Sequence, residues 1–104
     1  MIVRFIPKPA GESILADAVI EFHATEGPLS GFELNGIAVW RGKEPGKPFV
    51  TMPSRSYTDK TGQKQYFDHL RLRKDPDIPD SQKWAVKNWI LAEYAKQFGS
   101  GEAF

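Results

Sequence analysis

Apolar and polar residues alternate over much of the first two thirds of the chain, and the period lengthens only near the end. Ile2 to Ile6 is rich in β-branched and aromatic residues and is followed by Pro7 and Pro9. It reads as an edge strand, because proline removes a ladder donor. Ile14 to Ala24 alternates with period two. Ile14, Ala16, Ala18, Ile20 and Phe22 form one face, and Leu15, Asp17, Val19, Glu21 and His23 form a more polar one. That is the signature of a long half-buried strand. Phe32 to Trp40 reads as a third strand interrupted by Asn35-Gly36, a pair that marks a bulge or a tight turn. The flanks are short for two strands, which favours a bulge or bend. Arg41 to Lys47 is a hairpin loop with Gly42, Pro45 and Gly46 as turn residues. Pro48 to Met52 then returns as a fourth strand.

The stretch FVTMPSRS, Phe49 to Ser56, changes character at Pro53. Phe49 and Met52 read as core anchors of the fourth strand. Pro53 to Gln65 reads as a long connection with its tip at Asp59 to Gly62. Connections of that length are functional or mobile. Tyr66 to Lys74 reads as the last strand, with Phe67, His69, Arg71 and Arg73 on one face and Tyr66, Asp68, Leu70 and Leu72 on the other. Asp75 to Asp80, with two prolines, ends it. Asp80 or Ser81 then suits a helix N-cap. The helix runs to Phe98, with Trp84, Asn88, Leu91, Ala95 and Phe98 as a stripe and Val86, Trp89 and Ile90 off it. Its wide apolar girth predicts contact with its own sheet and with a second chain. Gly99 is a natural stop. The expected fold is α+β, a single antiparallel sheet of about five strands with one C-terminal helix. Residues 1–98 are expected to form one domain, with 99–104 a flexible tail.

Length and composition narrow the class. The chain has 104 residues and no cysteine. It therefore has no disulfide, no thiolate metal site and no thiol nucleophile, and it fits a cytoplasmic protein. The N-terminal apolar stretch is short for a signal peptide. No apolar run reaches the roughly 18–20 residues of a membrane span, so a soluble protein is expected. Net charge is only +1, but it is unevenly spread. Residues 41–74 hold nine bases against Glu44, Asp59 and Asp68, leaving that third at +6. Such a map focuses an anionic partner on one region, although solvated turns also collect lysines.

Signals of catalysis are weak. His23 and His69 fall on different predicted strands. Asp68 and His69 are neighbours on one, so they point to opposite faces. No spacing of ligands suggests a metal. The run GKEPGK lacks the strand–loop–helix setting of a phosphate loop. Ser54 and Ser56 lack a nucleophile elbow. No enzymatic activity, cofactor, metal or small-molecule substrate is expected. Binding signals are better. Past Pro53, two hydroxyls, the Arg55 guanidinium and free backbone N–H groups suit phosphate. The plainer alternative is that Ser54 closes a turn and Arg55 pairs with Asp59 or Asp68. Phe67, His69, Arg71 and Arg73 form an aromatic and cationic strip of the kind that holds single-stranded nucleic acid, if their face is open. If that face packs on the helix, Phe67 is core instead. Lys83 and Lys87 share a helix face. Lysines near a helix start oppose the macrodipole, which favours a partner over helix stability as their role.

Several of these segments also occur in a recognisable order. Ile37-Ala38-Val39-Trp40, a glycine-containing turn, and Phe49-Val50-Thr51-Met52-Pro53-Ser54-Arg55 resemble the stage V sporulation protein G, or septation-regulator, family. Ile14 to Phe22, Phe67-Asp68 and Ala85 to Tyr94 resemble its preceding strand, its later Phe-Asp position and its C-terminal helix. The likeness runs from about residue 14 to 97, and only its Met-Pro-Ser block is fairly specific. It implies a small α+β domain that dimerises through strands and binds DNA, and RNA in some members, as a regulator. The chain departs from the family pattern in three places: a longer hairpin at Arg41 to Lys47, a proline delayed to Pro76 after His69, and a weakly basic helix preceded by Asp75, Asp77 and Asp80. In the family, basic residues around the helix are implicated in contact. The nearest here are Lys74, Lys83 and Lys87. The departures move the emphasis to Arg55, Lys60, Lys64, Arg71 and Arg73. All eight are the candidate nucleic-acid-binding residues. The competing expectation is a protein-interaction module that docks through the helix bearing Trp84 and Trp89. A third is a small hydrolase or metal protein built on His23 or His69.

Overall fold

Hydrogen bonding sorts the strands into two sheets. In the computed structural model, which describes residues 1–44 and 47–98, the larger sheet holds β1 (Ile2–Pro7), β2 (Ile14–Glu21), β3 (Glu33–Trp40) and β4 (Phe49–Thr51) in that order, all antiparallel. The smaller sheet is a hairpin of β5 (Ser54–Thr58) and β6 (Lys64–Asp68). One helix, α1 (Ala85–Phe98), ends the described chain and is entered through a 3-10 turn at Asp80–Trp84. The α+β class and the single C-terminal helix are as the sequence indicates. The strands divide four and two, where a single sheet of about five was expected.

The core lies between one face of the larger sheet and α1. Phe5, Ala18, Ile37, Val39 and Val50 come from the four strands, with Met52 just beyond β4. From the helix come Ile90 and Tyr94, flanked by the partly buried Val86 and Phe98. Residues 86, 90, 94 and 98 recur every four positions, so they share one helical face. The Trp84–Asn88 stripe expected from the sequence instead starts in solvent, because Trp84 and Asn88 are both exposed. Ile90 is wholly buried, which stabilises the contact by about 2 kcal/mol. Phe5 meets Tyr94 edge-on with centroids 5.2 Å apart, and Tyr94 stacks on Phe98 at 4.7 Å. These rings tie the edge strand β1 to the last turns of the helix.

The opposite face of the larger sheet has no helix on it. Ile6, Asp17, Ala38 and Thr51 align across the four strands there. Trp40 stacks on Phe49 at 6.1 Å, nearly coplanar in orientation, and its Nε1 donates to Thr51 Oγ1 at 2.7 Å. Phe49 is therefore not a core anchor: it pairs with Trp40 on the open face and is 49% exposed. Ion pairs of Lys8 with Asp17 and of Arg4 with Glu21 border this face.

Asn35-Gly36 is a bulge, as its sequence suggests. The β2–β3 register shifts between Ala18↔Ile37 and Ile20↔Leu34. Gly36 takes φ +88°, a conformation that glycine adopts without strain. Other expectations change. The second strand stops at Glu21 rather than Ala24. Pro53 to Gln65 is not a connection: most of it is the hairpin. The last strand ends at Asp68, so His69 to Lys74 are not in a sheet. Neither Asp80 nor Ser81 caps the helix; the chain enters its 3-10 turn from Pro79, without a side-chain cap. Pro45, Gly46, Gly99 and the proposed tail lie outside the described residues.

Candidate nucleic-acid interface

The hairpin projects from the body at Pro53. Its neck is closed by His69 N–H, which donates to Pro53 O at 2.8 Å. Its tip is held by one carboxylate. Asp59 Oδ1 accepts from Thr61 N–H at 2.9 Å, Thr61 Oγ1 at 2.6 Å and Gln63 N–H at 3.0 Å, and Oδ2 accepts from Gln65 Nε2 at 3.1 Å. These hydrogen bonds, the Thr61 hydroxyl first and then Gln63 N–H, hold the Asp59 carboxyl below the usual carboxylate range. Asp59 therefore serves the turn and is not a partner for Arg55.

The hairpin register sorts its side chains into two faces. Arg55 opposes Phe67 and Tyr57 opposes Gln65 on one. Ser54, Ser56, Thr58, Lys64, Tyr66 and Asp68 share the other, since alternate residues point oppositely. Arg55 and Asp68 are thus on different faces, and Arg55 forms no ion pair among the described residues. Both faces meet solvent: Tyr57, Tyr66 and Phe67 are all exposed, Tyr66 at 68%. Cations accompany two of these rings. Lys64 Nζ lies 5.6 Å from the Tyr66 centroid, and the Arg71 guanidinium lies 4.5 Å from that of Phe67. The strip of Phe67, His69, Arg71 and Arg73 expected on one strand does not form. Arg71 reaches Phe67 by another route, from the irregular chain after β6.

That chain closes a hollow of about 390 Å³ against the start of the helix. Its apolar wall is Met52, Leu70, Leu72 and Val86. Arg71, Lys83 and Lys87 bring cations to it, and Trp84 brings an aromatic ring that is 51% exposed. Lys83 Nζ and Lys87 Nζ sit 5.4 and 5.7 Å from the Trp84 centroid. Lys83 and Trp84 end the 3-10 turn and Lys87 lies in the first turn of α1, so all three stand at the entry to the helix, next to Val86. Asp68 also lines the hollow, and its carboxylate has no hydrogen bond or ion pair among the described residues.

Three of the eight candidate residues, Arg71, Lys83 and Lys87, therefore meet at one place. Arg55 and Lys64 lie on opposite faces of the hairpin, and Lys60 lies in its turn. Arg73 and Lys74 follow the hollow on exposed chain, with Arg73 Nη1 3.9 Å from Asp75 Oδ2. Trp84 is not among the eight nucleic-acid candidates: in the sequence it stands out only as a docking residue for a protein partner, because a helix tryptophan gives no sign of which side it faces. Among the described residues no cluster of His, Asp and Glu could hold a metal ion. No helix there is long and apolar enough to cross a membrane. Compared with known proteins, the chain matches no family model, no curated protein and no solved structure.

Proposed function

We propose that this chain is a nucleic-acid-binding regulatory protein of the septation-regulator type, a cytoplasmic homodimer without catalytic activity. One observation carries the reading: Arg71, Lys83 and Lys87 gather around a hollow beside the exposed Trp84. Cations next to an exposed ring offer partners to both halves of a nucleotide, phosphate and base. The hairpin repeats the combination with Lys64 beside Tyr66. Phosphate contacts dominate such binding, so affinity falls steeply with salt. The Phe49 and Trp40 face of the larger sheet is the surface that would meet a second copy. DNA and RNA are both candidate ligands.

A second reading is favoured by Trp84 alone, since an exposed tryptophan also suits a protein partner. Fluorescence anisotropy with labelled DNA and RNA at about 50 and 200 mM salt separates the two. Under the first reading, binding weakens sharply between these salts and is lost in Arg71→Glu with Lys87→Glu. Absence of binding at the lower salt would sink it and leave the protein-partner reading.

A further inference from the structure

The hollow beside Trp84 has a chemistry more specific than a cationic surface. It is concave and apolar behind, aromatic at one side, and cationic around Arg71, Lys83 and Lys87. At about 390 Å³ it sits near the low end of small-ligand pockets, room for one nucleotide unit rather than several. A duplex cannot use it. Paired bases keep their faces stacked inside the helix, and extruding one costs a few kcal/mol. A single strand presents an unpaired base at no such cost, and aromatic rings take unpaired bases by stacking. The lysine ammoniums now rest near the Trp84 ring. The phosphates flanking a stacked base give them charge-assisted hydrogen bonds, which are stronger partners than a ring face.

Asp68 adds a direction to this site. Asp68 lines the hollow, and its carboxylate has no hydrogen bond or ion pair among the described residues. An ionised carboxylate only accepts hydrogen bonds. Among the bases, guanine alone offers two adjacent donors, its ring N–H and its amino group, to the two oxygens of one carboxylate. Adenine and cytosine set a single amino group beside an acceptor, and thymine and uracil set one N–H between two carbonyls.

We propose that the hollow between the chain after β6 and the start of α1 holds one unpaired guanine of a single-stranded nucleic acid, stacked on Trp84 and paired with Asp68. This rests on the nucleic-acid reading above and deepens it. The test uses the full chain and a labelled thymidine strand of about 12 nucleotides, within the span that one small domain covers. Parallel strands carry one central guanine, adenine or cytosine, and a duplex carries the guanine strand. The guanine strand is expected to bind roughly tenfold tighter than the others, the discrimination of one bidentate contact. Asp68→Asn removes this preference and leaves affinity for the thymidine strand in place. Trp84→Ala weakens every single strand by about tenfold, whereas Trp84→Phe keeps most of the affinity. Circular dichroism confirms that the variants fold. Equal affinity for all four strands, or a duplex bound as well as the single strand, overturns the proposal while the nucleic-acid reading stands. Failure of every strand and the duplex to bind at low salt overturns both.

Discussion

Gly36 and Pro53 touch where the larger sheet passes the chain to the hairpin. A Cβ on Gly36 would stand 2.9 Å from Pro53 Cβ, and Gly36 is at φ +88°. The bulge in β3 therefore makes room for the proline that ends the β4 segment. Gly36→Ala meets both a backbone penalty of about 1–3 kcal/mol and a contact that Pro53 has to yield. Gly31→Ala is the control, since Gly31 has φ +84° with nothing within 4 Å of its Cβ position. Urea unfolding should show Gly36→Ala losing more stability than Gly31→Ala. Equal losses would mean that the Pro53 contact is unimportant.

Asp59 makes the hairpin tip sensitive to acid. Its folded carboxyl titrates below the ordinary value because the Thr61 hydroxyl and Gln63 N–H bond to the ionised form. A lowered acid pKa stabilises the fold above the ordinary carboxylate value of about 3.9 and is lost as pH falls through the lower folded value. The amide shifts of Thr61 and Gln63, followed from neutral to strongly acid solution, should move together and only below that ordinary value. A midpoint at or above it would show that the carboxylate does not hold the turn. Asp59→Asn removes the charge and should abolish the transition.

Self-association is expected through the open face of the larger sheet. Phe49 and Trp40 present stacked rings there, and no described element covers them. Phe49→Glu sets a charge into that surface and away from the core. Light scattering should find the parent chain dimeric and Phe49→Glu monomeric, with unchanged far-ultraviolet dichroism. A dimer that survives the substitution would move the interface to the free edges of β1 or β4.

What could be read from sequence follows burial. β2 and β3 were legible because one face meets the core, so Ala16, Ala18 and Ile20 alternate with Asp17 and Glu21, with the buried Val19 the exception on the other face. The bulge was legible because Asn-Gly has few other uses inside a strand. The hairpin was hidden because both of its faces meet solvent. Ser54-Arg55-Ser56-Tyr57-Thr58 has no buried position, and so no apolar alternation. Its only signals were Tyr57 and Thr58 before the Asp59–Gly62 turn and Tyr66 and Phe67 after it. His69 to Lys74 misled in the opposite sense. Leu70 and Leu72 alternate with Arg71 and Arg73 as a strand would, yet they line the hollow from irregular chain. Helix position was blurred for a related reason: with apolar residues on several sides, the stripe through Trp84 looked as good as the true one through Ile90.

The site was legible by residue type and not by arrangement. Arg71, Lys83 and Lys87 stood out as cations, but nothing along the chain links position 71 to position 83. Their meeting depends on the turn after β6 and on the 3-10 entry to α1. Asp68 was read as a strand residue facing away from His69; its place in the wall of the same hollow as Trp84 needs the fold.

The hydrogen bond from His69 N–H to Pro53 O brings the two ends of the hairpin to one point on the body. Residues 54–68 thus form an insert closed at its neck, which meets the chain after it only near its end, through Phe67 and Asp68. Lengthening such an insert costs little, about 0.6 kcal/mol for each doubling of a flexible loop. The hairpin can therefore be shortened, extended or exchanged without rewriting the core around Ile37 and Ile90. Reach along a ligand and stability of the body become separately adjustable properties of one small chain.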